Sequence, residues 1–274
     1  MIRLLGAVAA AARRTGLRGP ARAGVLVVDA VLLRVRRPPL TAHVDGLAVR
    51  GFMRHRSFLA ETMRPRENYA ELFQGLLRPG MTVVDGGAHV GLYTLLAARG
   101  VGPAGFVIAL EPDLYNLVAL RVNVDRAGAE NVEVVAEALA EGAGTARFYE
   151  TRSTIGSSLI ERDDAGVRVV RTTSVDLLLR GRDVEALLVK LNIEGAEPRA
   201  LAGMRDVLSR VEQVAMLIEV NPPLLEAAGE DVGALVGGLR TQGFAVEYVD
   251  LPSQKGVPLP QPVPKGHLVA TRAL

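Results

Sequence analysis

Val83-Val84-Asp85-Gly86-Gly87-Ala88-His89-Val90-Gly91 is the stretch on which the fold turns. It stands between a short β-branched run, Met81–Asp85, and a helical pattern over Leu92–Arg99. A strand that runs through glycines into a helix is the first half of a βαβ unit. Glycine lets the backbone come close to a ligand, and the amides that open the helix suit an anion such as a carboxylate or phosphate. The spacing argues against a dinucleotide. G-x-G-x-x-G needs two residues before its last glycine, whereas Ala88, His89 and Val90 separate Gly87 from Gly91.

Working outward, Tyr69, Leu72, Phe73, Leu76 and Leu77 recur at helical spacing from Glu67 until Pro79-Gly80 stops them. Downstream, Phe106–Glu111 reads as a strand and Asp113–Ala127 as a helix with Leu114, Leu117, Val118 and Val122 on one face. Val132–Leu139 reads as a third strand. Residues 142–173 break the rhythm with glycines, threonines and short alternating runs, the mark of an inserted β-hairpin. Buried strands resume at Leu187–Ile193 and Val214–Val220, each followed by a helix. Gly243–Val249 and His267–Thr271 close the chain, separated by a loop with prolines at 252, 258, 260, 262 and 264. The alternation specifies an α/β fold, a doubly wound parallel sheet of seven strands in one domain over 67–274. The stretch 41–66 carries no regular pattern and reads as a linker.

Composition narrows the chemistry. The chain has 274 residues, 49% hydrophobic and 23% charged, enough for a sizeable core. With no cysteine it can hold no disulfide, thiolate metal site or cysteine nucleophile. The four histidines, 43, 55, 89 and 267, show no metal spacing, and no metal site is expected. The net charge of +2 is unevenly spread. Residues 1–40 carry eight arginines against one aspartate, a balance of +7. The remainder has 24 basic and 29 acidic residues, a balance of −5, which is not the footprint of a nucleic-acid binder. The basic region 1–37 is read in two ways: an amphipathic segment in peripheral contact with anionic lipid, or a helical extension packed on the domain. Its apolar runs are too short for a bilayer, so a cytoplasmic protein is expected.

Glu111 ends the second strand twenty residues after Gly91, where an acid accepts hydrogen bonds from ribose hydroxyls. Ribose recognition without a pyrophosphate loop points to a nucleoside. Three ordered motifs then share one pattern: Asp85–Leu95; Glu111-Pro112 with Asn116, Leu120 and Asn123; and Lys190-Leu191-Asn192-Ile193-Glu194-Gly195-Ala196-Glu197. Together they resemble the FkbM family of S-adenosylmethionine-dependent methyltransferases, from about Glu67 to Thr271. The resemblance implies the class I methyltransferase fold; it does not cover residues 1–66, read as a basic, partly helical N-terminal extension and linker. It implies that Asp85, Gly87 and Gly91 surround the methionine end of the cofactor and Glu111 meets the ribose, that Gly86, Ala88 and Pro112 also bind the cofactor, and that Glu137 and Ala138 border the adenine. Two positions depart from the family. His89 stands where Asn is common, and Asn192 replaces the Asp of Lys-x-Asp-x-Glu-Gly.

Ligands of open α/β sheets collect at the C-terminal ends of the strands, so Asp85, Glu111, Glu137 and Asn192–Glu197 should share one crevice. A sulfonium already activates its methyl group; the protein aligns the acceptor and helps remove a proton. Glu194, Asn192 and Lys190 are the expected catalytic residues. For Glu194 the alternative is a helix cap, and for Lys190 an internal ion pair. The expected activity is methylation, O-directed, of a small hydroxylated molecule such as a sugar or a secondary metabolite. A nicotinamide-dependent oxidoreductase and a non-catalytic cofactor-binding partner protein are the competing readings.

Overall fold

The computed structural model of the chain describes residues 31–64, 68–151, 156–163 and 165–274. Most of the basic region, residues 1–30, and the expected helix start at Glu67 lie outside the described residues. Residues 31–34 are helical. A hairpin of β1 (Leu40–Val44) and β2 (Leu47–Gly51) follows, then a 3-10 turn (Met53–His55) and α1 (Arg56–Thr62). Far from being a bare linker, this segment buries Ala42, Val49, Phe52 and Leu59 in the same cluster as Val83 and Leu95.

The body alternates as its periodicity requires. It begins with α2 (Ala70–Leu76), β3 (Thr82–Gly86), α3 (Leu92–Val101), β4 (Phe106–Leu110), α4 (Leu114–Ala127) and β5 (Val132–Val135). Next come β6 (Ala138–Leu139), β7 (Gly144–Glu150), β8 (Gly166–Thr173), α5 (Val175–Leu178) and β9 (Ala186–Leu191). It closes with α6 (Glu197–Ala202), α7 (Arg205–Arg210), β10 (Gln213–Val220), α8 (Pro222–Ala227), α9 (Val232–Thr241), β11 (Ala245–Asp250), β12 (Lys255–Val257) and β13 (Gly266–Arg272).

The main sheet runs β12-β11-β13-β10-β9-β3-β4-β5. Strands β5, β4, β3, β9 and β10 are parallel. β13 is antiparallel to both β10 and β11, so β11 points with the parallel set. Without β12 the order is third, second, first, fourth, fifth, seventh, sixth, a doubly wound sheet that reverses direction between β3 and β9. The sheet has eight strands rather than seven because part of the proline-rich loop folds back on β11 as the short β12. The expected third strand is split. Val132–Val135 joins the main sheet, while Ala138–Leu139 pairs with β8 in a separate three-stranded sheet that also holds the β7–β8 hairpin. A continuous apolar run carries no sign of that change of partner.

Each face of the sheet carries its own core. One joins Val83, Leu95, Leu120 and Leu217 to the N-terminal segment, and the other joins Val84, Leu187, Ile218 and Leu239 on the opposite side. On α4 the buried face is set by Asn116, Leu117, Leu120, Asn123 and Val124, whereas Leu114 is 48% exposed. The pattern misleads there because two buried positions are polar. Asn123 accepts from the Arg50 N–H at 2.9 Å and donates to the carbonyls of Arg50 at 2.9 Å and Val90 at 2.7 Å, clamping β2 to the body.

Candidate active site

The turn after β3 owes its path to two glycines with positive φ, Gly87 at +72° and Gly91 at +96°. A Cβ on Gly87 would overlap the Asn192 carbonyl oxygen, and one on Gly91 would press on Leu120. His89 is also left-handed, at φ +54°, a region where Asn and His are the better-tolerated side chains, so His in place of Asn leaves the turn's conformation accessible. The turn is not an open anion site. The N–H groups of Gly87 and Ala88 both donate to the Leu110 carbonyl, that of Gly91 donates to Ala88, and that of His89 donates to Glu111 Oε2 at 2.8 Å. Leu110, Glu111 and Ala88 take the amides that the sequence pattern offers to a ligand.

Glu111, almost wholly buried, also accepts from the Asp113 N–H through Oε1 at 2.8 Å. Burial pushes its carboxyl up to about 8, the neighbouring Asp113 charge adding to the effect and the N–H donors opposing it. The Asn116 side chain is a third hydrogen-bond partner, and a carboxylate with three donors still has acceptor capacity left.

Below the turn, Asp85 is fully buried and pairs with Lys190 Nζ at 2.9 Å, and it accepts from Thr94 Oγ1 at 2.6 Å. Lys190 also donates to the carbonyls of Gly86 at 3.3 Å and Gly87 at 3.0 Å. All three ammonium protons thus have partners within the chain.

The loop after β9 is held from two sides. The Glu197 carboxylate accepts from the N–H groups of Ile193 at 3.1 Å and Gly195 at 2.9 Å. Ser158, from the inserted sheet region, donates to the Glu194 carbonyl at 2.6 Å. These contacts hold Glu194 in the left-handed region, φ +54°, at a cost of about 1–2 kcal/mol for a residue of its kind. α6 begins after Ala196 with no side-chain cap, so Glu194 does not cap it.

A crevice of about 870 Å³, its open mouth included, lies at the C-terminal ends of these strands. Of the expected cofactor residues, Gly87, Ala88, Glu111, Pro112 and Ala138 line it, and so do all three expected catalytic residues, Lys190, Asn192 and Glu194. The lining does not include Asp85, Gly86, Gly91 or Glu137. Asp85 lies beneath it holding Lys190, Gly91 packs on α4, and Glu137 pairs with Arg171 at 2.9 Å. Sequence reasoning missed Phe58, Phe148 and Ser158, which reach the crevice from regions without a motif. Asn116 and Tyr93 also line it and stand inside quoted motifs, so their place could have been inferred.

Further along the rim, Glu219 and His267 face each other as partners across β10 and β13. Glu219 Oε1 stands 3.6 Å from Lys265 Nζ, while Glu219 Oε2 and His267 Nδ1 are buried with no partner among the described residues. Burial and the Glu194 charge raise the Glu219 carboxyl to about 7, and burial lowers His267 to about 3, keeping that ring neutral. Tyr69 stacks on it at 3.7 Å. No group of three or more His, Asp or Glu suited to a metal ion occurs among the described residues, and no helix among them is long and apolar enough to cross a membrane.

This sheet order, with a glycine turn after its first strand and a crevice over the strand ends, defines a class I methyltransferase. The family model described as "Methyltransferase FkbM domain" matches residues 85–246, more than half of the chain. The chain belongs to that family, and its methyl donor is S-adenosylmethionine. The crevice suits the donor: it is mostly apolar, it is floored where only glycine fits, and Glu111 keeps free acceptor capacity. No curated protein matches the chain. Similar solved structures include an rRNA methylase from Streptococcus thermophilus, 18% identical, TM-score 0.44, covering 77% of this chain and 97% of its own. A SAM-dependent methyltransferase from Aquifex aeolicus is 14% identical, TM-score 0.44, covering 81% and 100%. A SAM-dependent O-methyltransferase from Thermotoga maritima is 14% identical, TM-score 0.43, covering 87% and 79%.

Proposed function

We propose that the chain methylates a hydroxyl of a small polyhydroxylated acceptor, a sugar or a secondary metabolite. The observation that carries this reading is that Glu219 Oε2 and His267 Nδ1, on adjacent strands at the rim beyond the crevice lining, are buried without a partner among the described residues, with the Glu194 charge close enough to raise the Glu219 carboxyl. Buried polar atoms without partners cost free energy unless a ligand completes them. A hydroxyl does so, giving its proton to a carboxylate and accepting from an imidazole N–H. The acidic balance of residues 41–274 supports a small acceptor over a nucleic acid.

In this reading Glu111 accepts from the ribose hydroxyls, Gly87 and Ala88 border the methionine end, and Ala138 borders the adenine. When bound, the donor supplies a methyl group already activated by its sulfonium. Lys190 is a positioning residue that ties the glycine turn to Asp85. Asn192 orients the acceptor, and Glu194, the carboxylate on the crevice wall, receives the hydroxyl proton. Glu219 and His267 hold further hydroxyls.

The test is methyl transfer from labelled S-adenosylmethionine to a panel of sugars, polyols, phenols and amines, with the product bond identified by mass spectrometry and NMR. Methyl ethers are expected. Glu194→Gln should lower kcat by roughly 10²- to 10⁴-fold, while S-adenosylhomocysteine binds as before. N-methylated products, or a Glu194→Gln enzyme with unchanged kcat, would overturn the reading.

A further inference from the structure

We infer that the segment ahead of the family-matched region is part of the donor site, with Phe58 as a cofactor-binding residue. The family match begins at residue 85, so nothing in it assigns a role to residues 40–64. Phe58, on α1, lines the crevice together with Gly87, Ala88, Glu111 and Asn192, and it is only half-buried. An aromatic ring left half-covered on a crevice wall gains from a ligand that covers it.

The segment is fixed in place by contacts that end at the donor half. Asn123 clamps both backbone groups of Arg50. His55 is fully buried; its Nδ1 accepts from the Phe52 N–H at 2.8 Å, which leaves Nε2 as the donor to Asn116 Oδ1 at 2.9 Å. Gly51 leaves room for that ring, since a Cβ there would stand 2.8 Å from His55 Cβ. Asn116 and Asn123 both lie on α4, the helix that follows Glu111. The rings of His55 and Phe58 then meet His89 edge-on, with centroids 5.2 Å and 4.3 Å away. The two His89 ring nitrogens are buried with no partner among the described residues, so the ring acts as an uncharged surface between Phe58 and the turn. One continuous set of contacts therefore joins α4, the segment, Phe58 and the glycine turn. Binding of the donor should tighten all of it.

The inference rests on this crevice being the donor site, and calorimetry with S-adenosylhomocysteine on the full chain separates the two. Failure of the parent protein to bind would overturn the assignment of the crevice. With the parent binding, Phe58→Ala should weaken binding at least tenfold, whereas Phe58→Leu, which keeps an apolar surface, should stay within about threefold of the parent. Hydrogen exchange of the parent gives a second reading that needs no variant. Amides of residues 53–62 should exchange more slowly at saturating S-adenosylhomocysteine. Equal affinity in Phe58→Ala, or unchanged exchange over 53–62 at saturation, would overturn the inference.

Discussion

The half of the rim over β3, β4 and β5, which the proposed function gives to the donor, and the half over β9, β10 and β13, which it gives to the acceptor, treat their backbone amides and side chains differently. On the donor side the backbone amides of the turn are satisfied within the chain: four of them are tied to Leu110, Ala88 and Glu111, and Glu111 is itself held by two backbone N–H groups, while the two buried His89 ring nitrogens lack a partner among the described residues. On the other side Glu219 Oε2 and His267 Nδ1 are left unpaired, and Glu194 sits in a strained backbone conformation. A half that receives one fixed cofactor can be completed in advance. A half shaped for an acceptor keeps bonding capacity open, and the strain it stores is the kind that accumulates where function opposes stability.

The largest effect is expected at the junction between the halves, the Lys190–Asp85 pair. Lys190→Met should destabilise the chain by about 3–5 kcal/mol, because it strands a buried carboxylate without its cation. A double variant, Asp85→Leu with Lys190→Met, should recover much of the loss, as an apolar pair needs no compensation. Thermal unfolding of the two variants beside the parent checks both. A single variant as stable as the parent would mean the pair holds neither the turn nor the sheet.

Next in size is Gly87→Ala. Left-handed backbone costs about 1–2 kcal/mol for a residue with a Cβ, and the clash with the Asn192 carbonyl adds about 1–3 kcal/mol of overpacking. The unfolding midpoint should fall, and S-adenosylhomocysteine binding should fall with it. Gly238→Ala, on α9 where a Cβ meets nothing within 4 Å, is the control and should be neutral or mildly stabilising.

A smaller effect sharpens the account of Glu111. With its carboxyl at about 8, the ionised fraction rises from roughly one-tenth at pH 7 to nine-tenths at pH 9. The ionised form is the better acceptor for ribose hydroxyls, so S-adenosylhomocysteine affinity should rise up to about ninefold across that range. Glu111→Gln should bind more weakly and lose the pH dependence. A pH-independent parent would remove Glu111 from the ribose.

The same division explains what could be read without coordinates. The strand, turn and helix over 82–101 and the acid after β4 were legible because their signals are local: a β-branched run, glycines, and an acid at the next strand end. The paired acid of Lys190 lies 105 positions away, so sequence could pose the ion pair but could not choose its partner. Residues 40–64 were opaque because their docking depends on Asn116 and Asn123, whose polarity disguises a buried helix face as an exposed one. His267 opens the last strand in sequence, yet its place opposite Glu219 follows only from β13 running antiparallel beside β10.

The smallest effect tests the open half directly. Glu219 has a folded value of about 7, above its ordinary 4.5, so folding favours the protonated form. Its contribution to stability is complete below 4.5 and is lost as the pH rises through 7. At pH 8 the ionised carboxylate is therefore a burden, partly relieved by Lys265 at 3.6 Å. Glu219→Gln removes the charge along with its repulsion from Glu194, and should stabilise the chain by about 1 kcal/mol at pH 8, a gain of a few degrees in the unfolding midpoint. The gain should shrink as the pH falls toward 5. S-adenosylhomocysteine affinity should not change, because the donor half is complete without this residue, while the KM of a hydroxylated acceptor should rise. A variant less stable than the parent at pH 8 would show that the Lys265 pair outweighs the burial of Glu219, and the contrast between a completed and an open half would fail at its most exposed point.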